Sequence, residues 1–271
     1  MEERPRLKRR LTSFQIIILG FSGVILLGAL LLLLPFSTRG SGAAPFGTAL
    51  FTATSAVCVT GLVLQDTAAY WSPFGQAVIL ALIQIGGLGV VTVAASFAIL
   101  SGKRISLMQR STMQEALAAP QVGGIVGLTG FILRATVGIE ALGALAMAPV
   151  FCRDYGPRGL WLAVFHSVSA FCNAGFDLLG SPAAPFVSLT RYAGDPAVSG
   201  TVMLLIVVGG IGFLTWEDAA RHRLHLRRYR LQSKVILATT ALLIALPAAL
   251  FFFRDLAGLP LGERLTAALF Q

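Results

Sequence analysis

Apolar residues along this chain arrive in five long blocks, at roughly 14–35, 74–100, 128–150, 198–219 and 233–253, and about 20 such residues let a helix cross a bilayer. Each block therefore predicts a transmembrane span. After the first block comes a turn-rich stretch from Ser37 to Pro45 and then GTALFTATSAV; after the third comes PRGLWLAVFHSVSAF. Both segments suit a helix, and the first, at about 11 residues, is too short to cross and suits a re-entrant position. A glycine-containing loop follows each, Cys58 to Leu64 and Cys172 to Gly180, and the next span comes after it. The predicted unit is span, re-entrant helix, loop, span, in an all-α membrane protein. The first block has a basic lead, as a secretion signal does. Its apolar stretch is too long for one, and Pro35-Phe36-Ser37 is a poor cleavage site, so it reads as a retained span.

The unit repeats in sequence as well as in pattern. Residues 54–62 read TSAVCVTGL and residues 168–176 read VSAFCNAGF, sharing Ser-Ala-x-Cys-x-x-Gly. Phe51 and Phe165 stand at the same distance before Gly61 and Gly175, and LTAALFQ puts Phe270 in the same local setting one residue before the chain stops. An internal repeat outranks local readings. It predicts two complete units and the start of a third, over 1–119, 120–232 and 233–271, with the third glycine falling beyond Gln271. The second spans carry a further echo, Gly86-Gly87-Leu88-Gly89 and Gly209-Gly210-Ile211-Gly212. Close packing of membrane helices accounts for small residues there. An approach of these helices to the re-entrant segments is the functional alternative, and both can hold.

Composition agrees with a membrane setting: 56% of residues are hydrophobic and 12% charged, against about 25% charged in soluble domains. The net charge of +9 is not a nucleic-acid signal, because the cations sort by side. Arg4, Arg6, Lys8, Arg9 and Arg10 precede span one; Lys103, Arg104 and Arg110 follow span two; Arg221, Arg223, Arg227, Arg228, Arg230 and Lys234 separate spans four and five. With five spans all of these share one face, which the positive-inside rule makes cytoplasmic, with a cytoplasmic N-terminus. Three cysteines, two of them at equivalent repeat positions, give no disulfide framework and no metal-ligand spacing.

The loops carry the chemistry. Non-helical backbone at membrane depth persists only when buried in protein or lining a water-filled cavity. A short re-entrant helix points its negative C-terminal end inward, which favours a cation. Val59-Thr60-Gly61-Leu62 and Asn173-Ala174-Gly175-Phe176 contain no carboxylate, so backbone carbonyls would hold the ion. Glycine lets successive carbonyls turn to one axis, the way potassium filters select. Small divalent cations keep their water and prefer carboxylates, so a large monovalent cation, potassium first, fits best.

Through TATSAVCVTGLVLQDT, IQIGGLGVVT, HSVSAFCNAGFDLLG and VVGGIGF, the chain resembles the Trk/Ktr/HKT superfamily of potassium transporters, and most of all the bacterial Ktr membrane subunit. The resemblance implies four units around one pore with pseudo-fourfold symmetry, each loop forming a quarter of the selectivity filter. Val59, Thr60, Gly61 and Leu62 would be the first quarter, and Asn173, Ala174, Gly175 and Phe176 the second. Glycine at position 61 goes with potassium selectivity in that family; serine there goes with sodium permeation. The family's third and fourth filter loops and its gating loop have no counterpart here, so the resemblance implies an incomplete chain whose parent takes up potassium across a bacterial plasma membrane. It also implies a homodimer and a cytosolic nucleotide-binding regulatory subunit. No cofactor is expected beyond K⁺ as cargo, with sodium dependence open. The alternative is a non-conducting membrane scaffold or assembly subunit that keeps the repeat fold; an enzyme is disfavoured by the missing catalytic constellation.

Several residues stand apart. Arg134 and Glu140 lie in or near span three, too far around the helix to pair. Arg134 suits snorkelling to the membrane edge, and Glu140 calls for a buried polar contact with another helix. His166 reads as a structural partner along the pore helix rather than a catalyst, its repeat equivalents being Thr52 and Gln271. Asp66 and Asp177 follow the loops and either gather cations at the mouth or are ordinary loop charges. Segment 105–119 reads as an amphipathic helix that lies on lipid or meets a soluble regulator.

Overall fold

The computed structural model describes residues 12–40, 42–100, 107–117, 124–223, 225–256, 258 and 260–270; among these the chain is helical, with one isolated bridge between Thr38 and Trp71 and no strand. The first unit comprises α1 (Ser13–Leu32), α2 (Phe46–Val57), the one-turn α3 (Thr67–Tyr70), α4 (Pro73–Leu88) and α5 (Val90–Leu100). α6 (Leu107–Ala116) follows. The second unit comprises α7 (Ile125–Tyr155), α8 (Arg158–Phe171), α9 (Pro196–Gly210) and α10 (Phe213–His222). α11 (Leu231–Leu250), extended by a π-turn at Phe251–Asp255, and α12 (Leu261–Phe270) belong to the third.

α1 turns many of its large side chains outward. On α1, Ile18, Leu19, Leu26, Leu27 and Leu30 are exposed, whereas Gly28, Ala29 and Leu32 are buried. Lipid is as apolar as leucine, so large side chains gain nothing by turning inward, and small ones let helices close up. Gly28 shows the gain: a Cβ there would stand 2.6 Å from Leu82 Cδ1 on α4. α1, α2 and α4 pack into one triangle and α7, α8 and α9 into another, joined where α4 meets α8. The short helices α2 and α8 occupy the centre. On α8 the run from Leu162 to Phe171 is buried apart from Val164. A further tether joins the units: Trp161 Nε1 donates to Gln76 Oε1, and Gln76 Nε2 donates to the Trp71 carbonyl, both at 3.0 Å.

Among the described residues three helices are long and apolar enough to cross a membrane, Ser13–Leu32, Ile125–Tyr155 and Leu231–Asp255, and the count reaches five if each bent pair is one span. The spans expected over 74–100 and 198–219 correspond to the bent pairs. The chain turns by 98° between α4 and α5 and by 97° between α9 and α10. Both turns fall on the last glycine of the repeated motif, Gly89 at φ +82° and Gly212 at φ +84°. A residue in the left-handed region cannot continue a right-handed helix. The motif therefore begins inside the helix and ends it.

Beyond the second bend, Asp218 accepts from the Arg230 amide at 3.0 Å and the Ser233 hydroxyl at 2.7 Å, tying α10 to the start of α11. Glu217 pairs with Arg221 and Arg230. Arg4, Arg6, Lys8, Arg9, Arg10, Lys103 and Arg104 lie outside the described residues, as does Gln271. α6 falls within the segment expected to be amphipathic, and it is docked rather than free. Its Met113 is buried with Ala95 and Ile125 in a small second core.

Candidate ion-binding loops

Both loops arise from the same helix-ending device. α2 ends at Cys58, Val59 turns left-handed at φ +55°, and the Thr60 amide reaches back to the Ser55 carbonyl at 3.0 Å. α8 ends at Cys172, Asn173 turns at φ +56°, and the Ala174 amide reaches the Ser169 carbonyl at 2.7 Å. This is a Schellman arrangement. Each loop then returns to the left-handed region at its glycine, Gly61 at φ +72° and Gly175 at φ +71°. Asparagine is an accepted residue at the first turn. Valine is not, since a β-branched side chain at positive φ is strained, and such strain concentrates where structure serves function.

The shared serine of the repeat fixes each loop a second time. The Ser55 hydroxyl and the Thr60 hydroxyl hydrogen-bond at 2.8 Å. Ser169 Oγ donates to the Phe176 carbonyl at 2.6 Å. Ser55 and Ser169 are therefore site-building residues, and the repeat itself was the signal for them. His166 adds a third clasp in the second unit: Nδ1 bonds the Leu162 carbonyl at 2.7 Å, and Nε2 accepts from the Leu178 amide at 3.4 Å. It is a buried structural partner of the pore helix.

The loops meet at their glycines. A Cβ on Gly61 would stand 2.9 Å from the Ala174 carbonyl oxygen and 3.4 Å from Gly175 Cα; one on Gly175 would stand 3.2 Å from Gly61 Cα. Residues 114 apart in sequence, placed alike in two repeats, thus touch backbone to backbone. Thr60, Leu62, Asn173 and Gly175 are exposed, Val59 and Gly61 half-buried, and Ala174 and Phe176 buried. A cavity of about 250 Å³ opens beside the second loop between Asn173, Gly175, Asp177, His166, Ile206 and Phe270 of α12.

The motif glycines admit the short helices. A side chain at Gly86 would run into the Val57 carbonyl, and one at Gly209 into the Phe171 carbonyl, each at the C-terminal end of its own unit's short helix. Asp66 and Asp177 part company. Asp66 is buried, its Oδ1 accepting from the Ala69 amide and its Oδ2 from the Phe186 amide of the second unit, both at 2.7 Å. It is a clamp between units rather than a free charge at a mouth. Asp177 is partly exposed and lines the cavity. Glu140 is buried on α7 facing the Gln84 side chain of α4, the expected contact with another helix, while Oε1 has no hydrogen-bond partner among the described residues. Arg134 is exposed.

Two helices that enter and stop at the protein's centre, each followed by a glycine-bearing loop and enclosed by lipid-facing spans, define a membrane protein of the ion-transport class. The chain belongs to the TrkH family of cation transport proteins, which it matches over residues 7–268. It is 40% identical over 259 residues to the potassium/sodium uptake protein NtpJ of Enterococcus hirae, covering 95% of this chain and 56% of that one. It is 38% identical over 269 residues to the Ktr system potassium uptake protein B of Bacillus subtilis, covering 97% and 58% respectively. The corresponding protein of Vibrio alginolyticus is 36% identical over 266 residues, covering 95% and 56%. These relatives are ion-uptake proteins, not enzymes. The chain spans a little over half the length of each.

Proposed function

We propose that this chain supplies two quarters of the filter of a potassium-uptake protein in a bacterial plasma membrane. K⁺ is held by backbone carbonyls of Val59, Thr60, Gly61 and Leu62 from one side and of Asn173, Ala174, Gly175 and Phe176 from the other. The carrying observation is the contact of Gly61 with the Ala174 carbonyl and Gly175, at the negative ends of two short helices. The Ala174 oxygen stands at the contact between the loops, 2.9 Å from where a Cβ on Gly61 would be. The Phe176 carbonyl accepts from Ser169, which fixes the loop, and keeps one lone pair free. Potassium in the names of three relatives supports the choice of ion. The units divide at 1–119, 120–232 and 233–271, with the N-terminus cytoplasmic. Flux runs inward with the membrane potential; the assembly is a homodimer with a cytosolic nucleotide-binding regulator. Production of the full native protein in a bacterial strain lacking potassium uptake tests the reading. Growth at low potassium and rubidium-tracer uptake are expected to return. Normal membrane abundance without uptake overturns it.

A further inference from the structure

The helix end that leads into the second loop packs closely against the first unit at one pair of residues. A Cβ on Gly87 of α4 would stand 2.5 Å from Cys172 Sγ, 2.7 Å from Cys172 Cβ and 3.4 Å from Cys172 Cα. Cys172 caps α8 and immediately precedes Asn173, where the loop turns left-handed. It has little room to yield. The residue is buried, and the carbonyl of its neighbour Phe171 is lodged against Gly209. The adjacent Gly86 serves a different contact, with the Val57 carbonyl of its own unit. The glycine pair thus divides its work. The first glycine admits its own unit's helix end, and the second admits the next unit's cysteine. Gly210, the second glycine of the other pair, has no neighbour closer than Asn173 Nδ2 at 3.7 Å, and Cys58 is exposed. Gly87–Cys172 is the one such seat that the described residues fill.

We propose that Gly87 is a positioning residue for ion selectivity: by seating Cys172 it fixes where the second filter loop stands against the first. The proposal rests on reading the loops as an ion filter. A methyl at 87 needs ordinary contact of about 3.5–4.0 Å, so Cys172 must retreat by about 1 Å. Asn173 to Gly175 follow it, because the Ala174–Ser169 bond and the helix cap join them to the same helix end. Gly61 and Gly175 are already in contact, so a shift of that size changes both the spacing and the number of carbonyls an ion meets. Either account of carbonyl selectivity is sensitive to that.

The test compares wild type, Gly87→Ala, Gly87→Ala with Cys172→Gly, and Gly86→Ala with Cys172→Gly, each in the full native protein at matched membrane abundance. Gly87→Ala is expected to lower the ratio of potassium to sodium uptake by about tenfold. Removing both the sulfur and Cβ of Cys172 leaves nothing of that residue closer than its Cα at 3.4 Å, which makes room for the methyl, and that double variant is expected to recover to within about twofold of wild type. The Gly86 double variant is expected to stay impaired, since its clash is with a backbone carbonyl. Unchanged selectivity in Gly87→Ala overturns the proposal, and so does failure of Cys172→Gly to restore it. Thiol labelling in membranes separates the seat from the function: Cys172 is expected to be protected in wild type and to react in Gly87→Ala. If wild type takes up no potassium, the functional reading falls with the selectivity claim, while labelling still decides the seat.

Discussion

Replacing Gly61 with alanine tests the filter geometry where it is tightest. Two terms add. The residue sits at φ +72°, and an L side chain in the left-handed region costs about 1–2 kcal/mol. The new Cβ also lands 2.9 Å from the Ala174 oxygen, roughly 0.4 Å inside a normal carbon–oxygen contact. Relief comes either by rotating the Ala174 carbonyl out of the inter-loop space or by parting the loops; both remove oxygen from the ion. The fall in potassium-over-sodium uptake is expected to be about tenfold, equivalent to about 1.4 kcal/mol. Thermal unfolding of the detergent-purified protein is expected to come about 2–4 °C earlier. Gly47→Ala is the control, a glycine on the short helix that leads into the loop, with nothing within 4 Å of its added methyl. Tracer uptake of rubidium and sodium at equal protein levels gives the first quantity and a melting curve the second. If Gly61→Ala matches Gly47→Ala in both, the loops do not meet as described.

Three further outcomes follow from the same contacts. Asp66→Asn turns an amide N–H₂ or a weaker carbonyl toward the Phe186 amide, and is expected to lose about 1.5–3 kcal/mol of attachment between units; protease cleavage within 181–195 is expected to accelerate, and an unchanged digest refutes the clamp. Ser169→Ala leaves the Phe176 carbonyl without its 2.6 Å donor and is expected to reduce selectivity several-fold while costing about 1 kcal/mol of stability; wild-type selectivity in that variant would show the brace to be idle. Glu140→Gln keeps a polar partner for Gln84, so uptake at matched abundance is expected to stay within about twofold of wild type; abolished uptake would instead make Glu140 part of an ion path.

The sequence displayed much of the site because the protein states it twice. Ser-Ala-x-Cys-x-x-Gly locates both loops and both glycines, and Ser55 and Ser169 prove as structural as the glycines they accompany. Other elements left no readable mark. Val59 at positive φ runs against its residue type, because the packing around a loop held at both ends outweighs a local preference of a few kcal/mol. The bends at Gly89 and Gly212 lie within uninterrupted apolar runs, and hydropathy reports depth in lipid, not direction. Asp66 finds its partner 120 residues away, a distance no periodicity reaches.

The sequence by itself determined the spans, their re-entrant companions, the repeat and the family. The first two follow from local constraints, namely the length of chain that crosses hydrocarbon and the need to satisfy backbone polar groups there. The tertiary structure decided that Gly61 faces Gly175, that Gly87 receives Cys172 while Gly210 stands open, and that two spans break at their last motif glycine. Each of these is a distance between backbones from different units or a direction taken after a turn. Such distances depend on the simultaneous packing of helices remote in sequence, where one methyl group separates fit from overlap.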